Sequence, residues 1–298
     1  MRRSLSAGRG AAKSCTVLQV LHVHRPSLLA KNALQRYTTS AEAFLAQVGM
    51  ASEAWQTELA RARSLGLTAL KLGTEEEGLS HEEVRFLAQQ VPADLGIVVK
   101  IGGPCARADL RLAAEVGATA VVAPMVESPF ALRRFIEAAD ADLGPDGGGI
   151  ERAFNLETRQ AVALLPEILA IPQARRLDFV NIGRSDLAAS LGLEVGDAEM
   201  NDVVVNVIQQ LCAFGLPVHV GGRVTRATLL PLLERCEIAA FHTRFLAFRL
   251  QDGVDVAAAV SQALRLELVL LEMLAQRPGA RAPAHRQRAL ETQKRLQG

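Results

Sequence analysis

Glu157 and Asp186 are the acids best placed by sequence to hold a cation. Glu157 ends the apolar run Phe154–Glu157, and Asp186 follows the next run, Phe179–Ile182. If both runs are strands, the two carboxylates stand side by side at neighbouring strand ends. Two carboxylates with open water positions suit a hard octahedral cation, Mg²⁺ or Mn²⁺, and do not suit structural zinc. The alternative for Asp186 alone is a helix N-cap. Lys100 ends another apolar run, beside Gly102 and Gly103. A cation there can hold a substrate carboxylate, stabilise an enolate or form a Schiff base, or it can pair with an acid. The two glycines before a helix offer free N–H groups to an anion. His242 also stands at a strand end, Glu127 follows a third run, and Arg244 a seventh. For Glu127 and Arg244, substrate contact and a structural ion pair both remain open.

These residues need a common scaffold. Short β-branched runs alternate with amphipathic stretches from residue 66 onward. The strand runs are Thr68–Leu72, Ile97–Ile101, Ala120–Val126, Phe154–Glu157, Phe179–Ile182, Pro217–Val220 and Ile238–Phe241. Helical stretches at Ser80–Gln90, Arg107–Val116, Pro129–Ala139, Arg159–Leu169 and Asn201–Phe214 lie between them. Such alternation marks a parallel sheet covered by helices, and seven strands in one run predict an α/β fold, a (β/α)8 TIM barrel. Polar loop clusters follow all seven strands, so they meet at one face and form one shared site. An eighth strand is wanting. Val17–Val23 is apolar enough, and closure by a shorter or irregular segment is the other route.

The expected organisation is a basic extension at residues 1–41, a barrel domain at 42–253 and a helical extension at 254–298. Asp255–Gln276 reads as a helix apolar almost all round, which requires burial against a second subunit or against the barrel flank. The first alternative implies a homo-oligomer through this C-terminal helix. His285–Leu296 reads as a short charged helix.

Composition narrows the function classes. Lys plus Arg is 33 against 32 Asp plus Glu, and aromatics are only 4%. Neither the charge nor the supply of stacking surfaces suits a nucleic-acid binder. No apolar run reaches the ~18 residues of a membrane span. Residues 1–41 hold seven Lys/Arg and no acid, leaving 26 bases and 32 acids beyond them. This Arg/Ser/Ala-rich segment reads as a transit peptide to a mitochondrion or plastid, or as a plain basic extension of a cytoplasmic protein. The four cysteines have no CxxC spacing, so reduced thiols are expected.

Val98-Val-Lys-Ile-Gly, Pro124-Met-Val-Glu-Ser, Asn155-Leu-Glu-Thr and Ile182-Gly-Arg-Ser-Asp-Leu-Ala-Ala-Ser-Leu-Gly follow one pattern over about residues 66–250. It resembles the HpcH/HpaI aldolase and citrate lyase beta-subunit family of the phosphoenolpyruvate/pyruvate barrel superfamily. The resemblance implies a metal-dependent carbon–carbon lyase acting on a 2-oxo acid or a pyruvate enolate. It implies that Glu157 and Asp186 bind the Mg²⁺ or Mn²⁺. Two departures stand out. The family's usual strand-end Arg aligns with Lys100, which keeps the charge but loses the planar two-point grip. Its Glu-His-Gly after the preceding strand, where the His is the general base, is here Glu76-Glu77-Gly78. Glu77 would serve as base if burial raised its pKa; otherwise the base is His81, His219 or, ranked first, His242. The alternatives are an acyl-CoA ester lyase, which needs a basic surface for the CoA phosphates, and a non-catalytic barrel with a structural or regulatory role.

Overall fold

The computed structural model describes residues 53–145, 147–277 and 281–297. Helix α1 (residues 53–64) leads into β1 (Leu67–Gly73), α2 (His81–Ala88), β2 (Gly96–Lys100), α3 (Arg107–Glu115), β3 (Ala120–Ala123) and α4 (Pro129–Leu143). Then come β4 (Glu151–Leu156), α5 (Arg159–Ala163), α6 (Leu165–Ala170), β5 (Phe179–Gly183), α7 (Arg184–Leu191) and α8 (Ala198–Phe214). The remaining elements are β6 (Val218–Gly221), α9 (Arg226–Leu233), β7 (Ala240–His242), β8 (Leu246–Arg249), α10 (Val256–Gln276) and α11 (Ala282–Gln297). The eight strands close a barrel in sequence order, so the fold is the expected TIM-type barrel with extra C-terminal helices.

Local chemistry sets the helix starts. The Ser80 hydroxyl accepts from the Glu83 N–H while the Glu83 carboxylate accepts from the Ser80 N–H, a capping box. Ser128, Thr158 and Asp255 cap α4, α5 and α10 more simply, each side-chain oxygen accepting one N–H of the first turn. The stretch Arg159–Leu169 forms two helices, because Pro166 has no N–H to continue the first.

The eighth strand departs from the all-parallel pattern. β1 through β7 run parallel, whereas β8 is antiparallel to both β7 and β1. It arises from a short turn, Thr243–Phe245, that sends the chain back beside β7. The Arg249 N–H donates to the Gly66 carbonyl (2.8 Å) and the Lys71 N–H to the Phe245 carbonyl (2.7 Å), which seals the seam. The irregular route to closure is therefore the one taken; Val17–Val23 lies outside the described residues.

Register determines what faces the lumen. Ala69, Val98, Ala120, Val122, Ala153, Phe179 and Ala247 form a small buried cluster separate from the main core. Neighbours in a sheet share a face, so the paired Lys71, Lys100, Asn155, Asn181, His219 and His242 share it too. Four of the seven cluster members are alanine, and so little side-chain volume leaves the lumen unfilled. A cavity of about 760 Å³ enters it from the N-terminal end of the strands and reaches His242.

The apolar surface of α10 is buried within the chain. Its Leu264, Leu266, Leu270, Leu271 and Leu274 join the main core, and Gln262 Nε2 donates to the Glu58 carbonyl of α1 (3.0 Å). Of the two routes to burial, the barrel flank is the one seen. Among the described residues no helix is long and apolar enough to cross a membrane, and Cys105, Cys212 and Cys236 are free thiols.

Candidate active site

A second cavity, of about 490 Å³, opens at the C-terminal ends of the strands. It brings together six of the nine residues picked from sequence: Glu77, Lys100, Glu157, Asp186, His242 and Arg244. Gly102 and Gly103 are not among them. They line a shallower depression beside Cys105 and Phe130, and the Gly102 N–H is already taken by Asp109 Oδ2 (2.7 Å). Glu127 is partly exposed beyond the cavity lining. His81 lies on the surface of α2 and contacts Asp109 (3.0 Å).

Glu157 is the most constrained acid of the site. Its Oε1 accepts the Met125 N–H (2.9 Å) and its Oε2 accepts Asn155 Nδ2 (2.9 Å). Asn155 is oriented in turn by Asn181, whose Nδ2 donates to Asn155 Oδ1 (2.9 Å). Met125 has φ 54°, a left-handed conformation that costs a non-glycine residue energy, and this turn aims its N–H at the carboxylate. At Gly183 a Cβ would fall 2.7 Å from Glu157 Oε2, so glycine there leaves the room the carboxylate occupies. Burial pushes the Glu157 carboxyl above its ordinary range and Asp186 adds to the rise, against Lys100 and the two hydrogen bonds. Asp186 stands in the first turn of α7, is exposed and does not cap it; Gly183 is the N-cap residue.

Opposite the acids is a buried charge cluster. Glu77 is 1% exposed. Lys71 Nζ lies 2.8 Å from Glu77 Oε1 and Lys100 Nζ 3.9 Å from Oε2. Burial raises the Glu77 carboxyl, but Lys71 and Lys100 outweigh it and leave it lowered. Glu77 is thus an anion locked between two ammonium groups and a poor proton acceptor. Lys100 pairs with an acid and still lines the cavity.

His242, 1% exposed, lies at the floor. One ring nitrogen, Nε2, meets His219 Nδ1 at 3.1 Å, and Nδ1 has no hydrogen-bond partner among the described residues. Burial holds the ring well below the ordinary imidazole pKa, with His219 and Lys71 acting in the same direction. It is neutral at pH 7 and has a lone pair to offer. Arg244 contacts the Glu76 carbonyl (3.0 Å) and carboxylate (3.1 Å), so it forms the structural ion pair and pins the β1–α2 loop at the rim.

Two contributors have little signature in sequence. Lys71 stands on β1 one lumen position beyond Ala69, and only the strand parity could have marked it. The other is α11, whose Glu291, Thr292, Lys294 and Arg295 line the mouth. That helix is tied down by buried polar contacts. His285 Nε2 meets Glu83 Oε1 (2.7 Å), Thr292 Oγ1 donates to Glu267 Oε1 (2.9 Å), and Arg295 Nη2 donates to the Val224 carbonyl (3.2 Å).

Residues 83–218 match the HpcH/HpaI aldolase/citrate lyase family. The match contains Lys100, Glu157 and Asp186, and it ends before His242, Arg244 and α11. Among solved structures the chain is similar to an HpcH/HpaI aldolase/citrate lyase family protein from Burkholderia cenocepacia J2315. That similarity has 16% identity and TM-score 0.52, over 63% of this chain and 83% of that one. It is also similar to the citrate synthase SbnG, at 17% identity and TM-score 0.51, over 63% of this chain and 81% of that one. At these identities the structural likeness speaks to the fold alone. No curated protein matches the chain.

Proposed function

We propose that the chain is a divalent-metal-dependent carbon–carbon lyase of aldolase type, acting on a 2-oxo acid such as pyruvate through its enolate. The observation that carries this reading is Glu157, a buried carboxylate fixed by two hydrogen bonds, raised in pKa and sharing a cavity with Asp186. A cation between them would relieve the burial and the Asp186 charge that raise the Glu157 carboxyl. The donor set is oxygen only, which fits Mg²⁺ or Mn²⁺. Among the described residues no group of three or more acids, histidines or cysteines surrounds one point. On this reading Glu157 and Asp186 would hold the cation alone, leaving positions for substrate oxygens. A divalent cation held there would polarise a keto oxygen as a Lewis acid. Lys100 supplies fixed positive charge toward the developing enolate, and Glu77 holds that ammonium in place. His242 takes the proton at Nδ1.

The test is thermal unfolding with and without Mg²⁺ or Mn²⁺. At a concentration about 100 times the Kd, the cation should stabilise the protein by about 2.7 kcal/mol. Glu157→Gln and Asp186→Asn should abolish that gain. Absence of any metal-dependent shift in the unmutated protein overturns the reading.

One observation favours the acyl-CoA ester lyase as second reading. Arg223, Lys294 and Arg295, from two separate stretches of chain, line the mouth beside the Arg244–Glu76 pair, and their charge would face phosphates. Stabilisation by CoA and not by pyruvate would select it.

A further inference from the structure

The lower cavity and the upper one share a single lining side chain, His242. His219 lines the lower cavity only, and its Nδ1 meets His242 Nε2 at 3.1 Å. The pair therefore bridges the barrel lumen from the site to the opposite end. Its geometry is fixed by packing. The His219 ring stacks on Phe179 at 4.1 Å between centroids, and the His242 ring meets Phe179 edge-on at 6.3 Å. The charged groups facing the pair are Lys71 of β1 toward His242 and Arg249 of β8 toward His219. Both are cations, so neither stabilises an imidazolium.

That arrangement poses a problem for a general base. Burial, chiefly, holds His219 down to about 4 and His242 well below its ordinary value. An imidazole so placed accepts a proton poorly if it must keep the charge. Imidazole has two nitrogens, however, and can gain a proton at one while losing a proton at the other.

Building on the function proposed above, we infer that His219 and His242 form a proton relay, joining the site at the C-terminal face of the barrel to the polar cavity at its N-terminal face. With Nδ1 of His242 bare, its Nε2–H donates to Nδ1 of His219, whose own hydrogen sits on Nε2. A proton leaving the substrate binds His242 Nδ1, and the Nε2–H proton moves to His219 Nδ1. The Nε2–H proton of His219 then passes to an acceptor in the lower cavity, lined by Glu151, Asp178 and Asp252. One proton enters, one leaves, and both rings stay neutral. Reversal returns a proton to the enolate carbon and resets both tautomers. His242 touches substrate; His219 acts through it as a positioning and relay residue. His219 lies outside the family match, which ends at residue 218.

The experiment compares Mg²⁺-loaded wild type, His219→Gln and His219→Leu in loss of pyruvate methyl protons to D₂O, followed by NMR. Gln can hold the hydrogen bond to His242 and its tautomer but cannot pass a proton onward; Leu can do neither. The relay predicts that both variants lose rate by on the order of 10²-fold with an unchanged KM for pyruvate, within the range of general acid–base contributions. Thermal unfolding confirms that the Gln variant is folded. Exchange by His219→Gln close to the wild-type rate, with only His219→Leu slow, would mean that the contact merely orients His242, and overturns the relay. Wild-type protein that exchanges no protons overturns the enolate reading itself, and the relay with it.

Discussion

Replacing Arg184 by Met should destabilise the protein by about 3–5 kcal/mol, although Arg184 touches no proposed substrate atom. Its side chain is fully buried and reaches across to the β6–α9 loop. Nε donates to the Gly221 carbonyl (3.1 Å), Nη1 to the Thr228 carbonyl (2.6 Å) and Nη2 to the Gly222 carbonyl (3.1 Å). Hydrogen bonds to a charged donor contribute about 1.5–3 kcal/mol each. Against them stands the cost of burying the charge, which lowers the guanidinium from its ordinary value to about 10. That shift corresponds to about 3 kcal/mol. Met removes both the bonds and the cost. It leaves three carbonyls, of one buried and two partly buried residues, without that donor, at about 1–3 kcal/mol each, and this penalty outweighs the relief. Urea unfolding followed by circular dichroism, with m unchanged, gives the difference from the midpoint. Arg184→Lys should fall between, because one ammonium cannot span three carbonyls held by a planar fork. A loss for Arg184→Met under about 1 kcal/mol, near the level of an ordinary surface change, would show that the fork does not hold the two loops together.

The same loop contact makes a second prediction. At Gly222 (φ 81°) a Cβ would lie 2.5 Å from the Ser185 nitrogen and 2.9 Å from that of Arg184, both backbone. Gly222→Ala should therefore cost about 2 kcal/mol or more and weaken the metal-dependent thermal shift by displacing Asp186. Gly117→Ala, with φ 67° and open space around it, should cost less and leave the metal response intact. A third prediction concerns acid. Burial raises the Glu83 carboxyl, but hydrogen bonds from Ser80 and the contact with His285 outweigh it and leave it below the ordinary 4.5. A lowered carboxyl contributes stability that is present above pH 4.5 and is lost as pH falls through the folded value. Glu83→Gln should flatten the stability–pH curve below about pH 4.5 and raise hydrogen exchange in α11; a curve unchanged there would disprove the role of this pair.

What could be read beforehand was what local pattern controls. β2 and β3 are nearly unbroken apolar runs and β4 to β6 carry apolar cores with one or more polar residues, and the order of these runs along the chain already makes Glu157 and Asp186 neighbours. β8 was not legible, because four residues after a tight turn carry no periodicity of their own, and their partner strand β1 lies far back in the chain. The role of Glu77 turned on Lys71, which sits six residues away in sequence and beside it only after the β1–α2 loop folds back. The charged pattern of His285–Leu296 does not show the buried Glu267, which accepts from Thr292 and pairs with Arg295. Gly102 and Gly103 looked like an anion site because sequence does not show that Asp109, seven residues beyond Gly102, fills it.

The antiparallel closing strand bears on how the molecule is made. β7 and β8 meet across a three-residue turn, and that hairpin can form early and locally. The seam between β1 and β8 joins Leu67 to Phe248, about 180 positions apart, and pays its loop-closure entropy in one step. Until it shuts, β1 and β8 each present an unpaired edge on which another chain can build. Sealing that seam is therefore expected to limit the refolding rate, and aggregation during refolding is expected to compete at that stage.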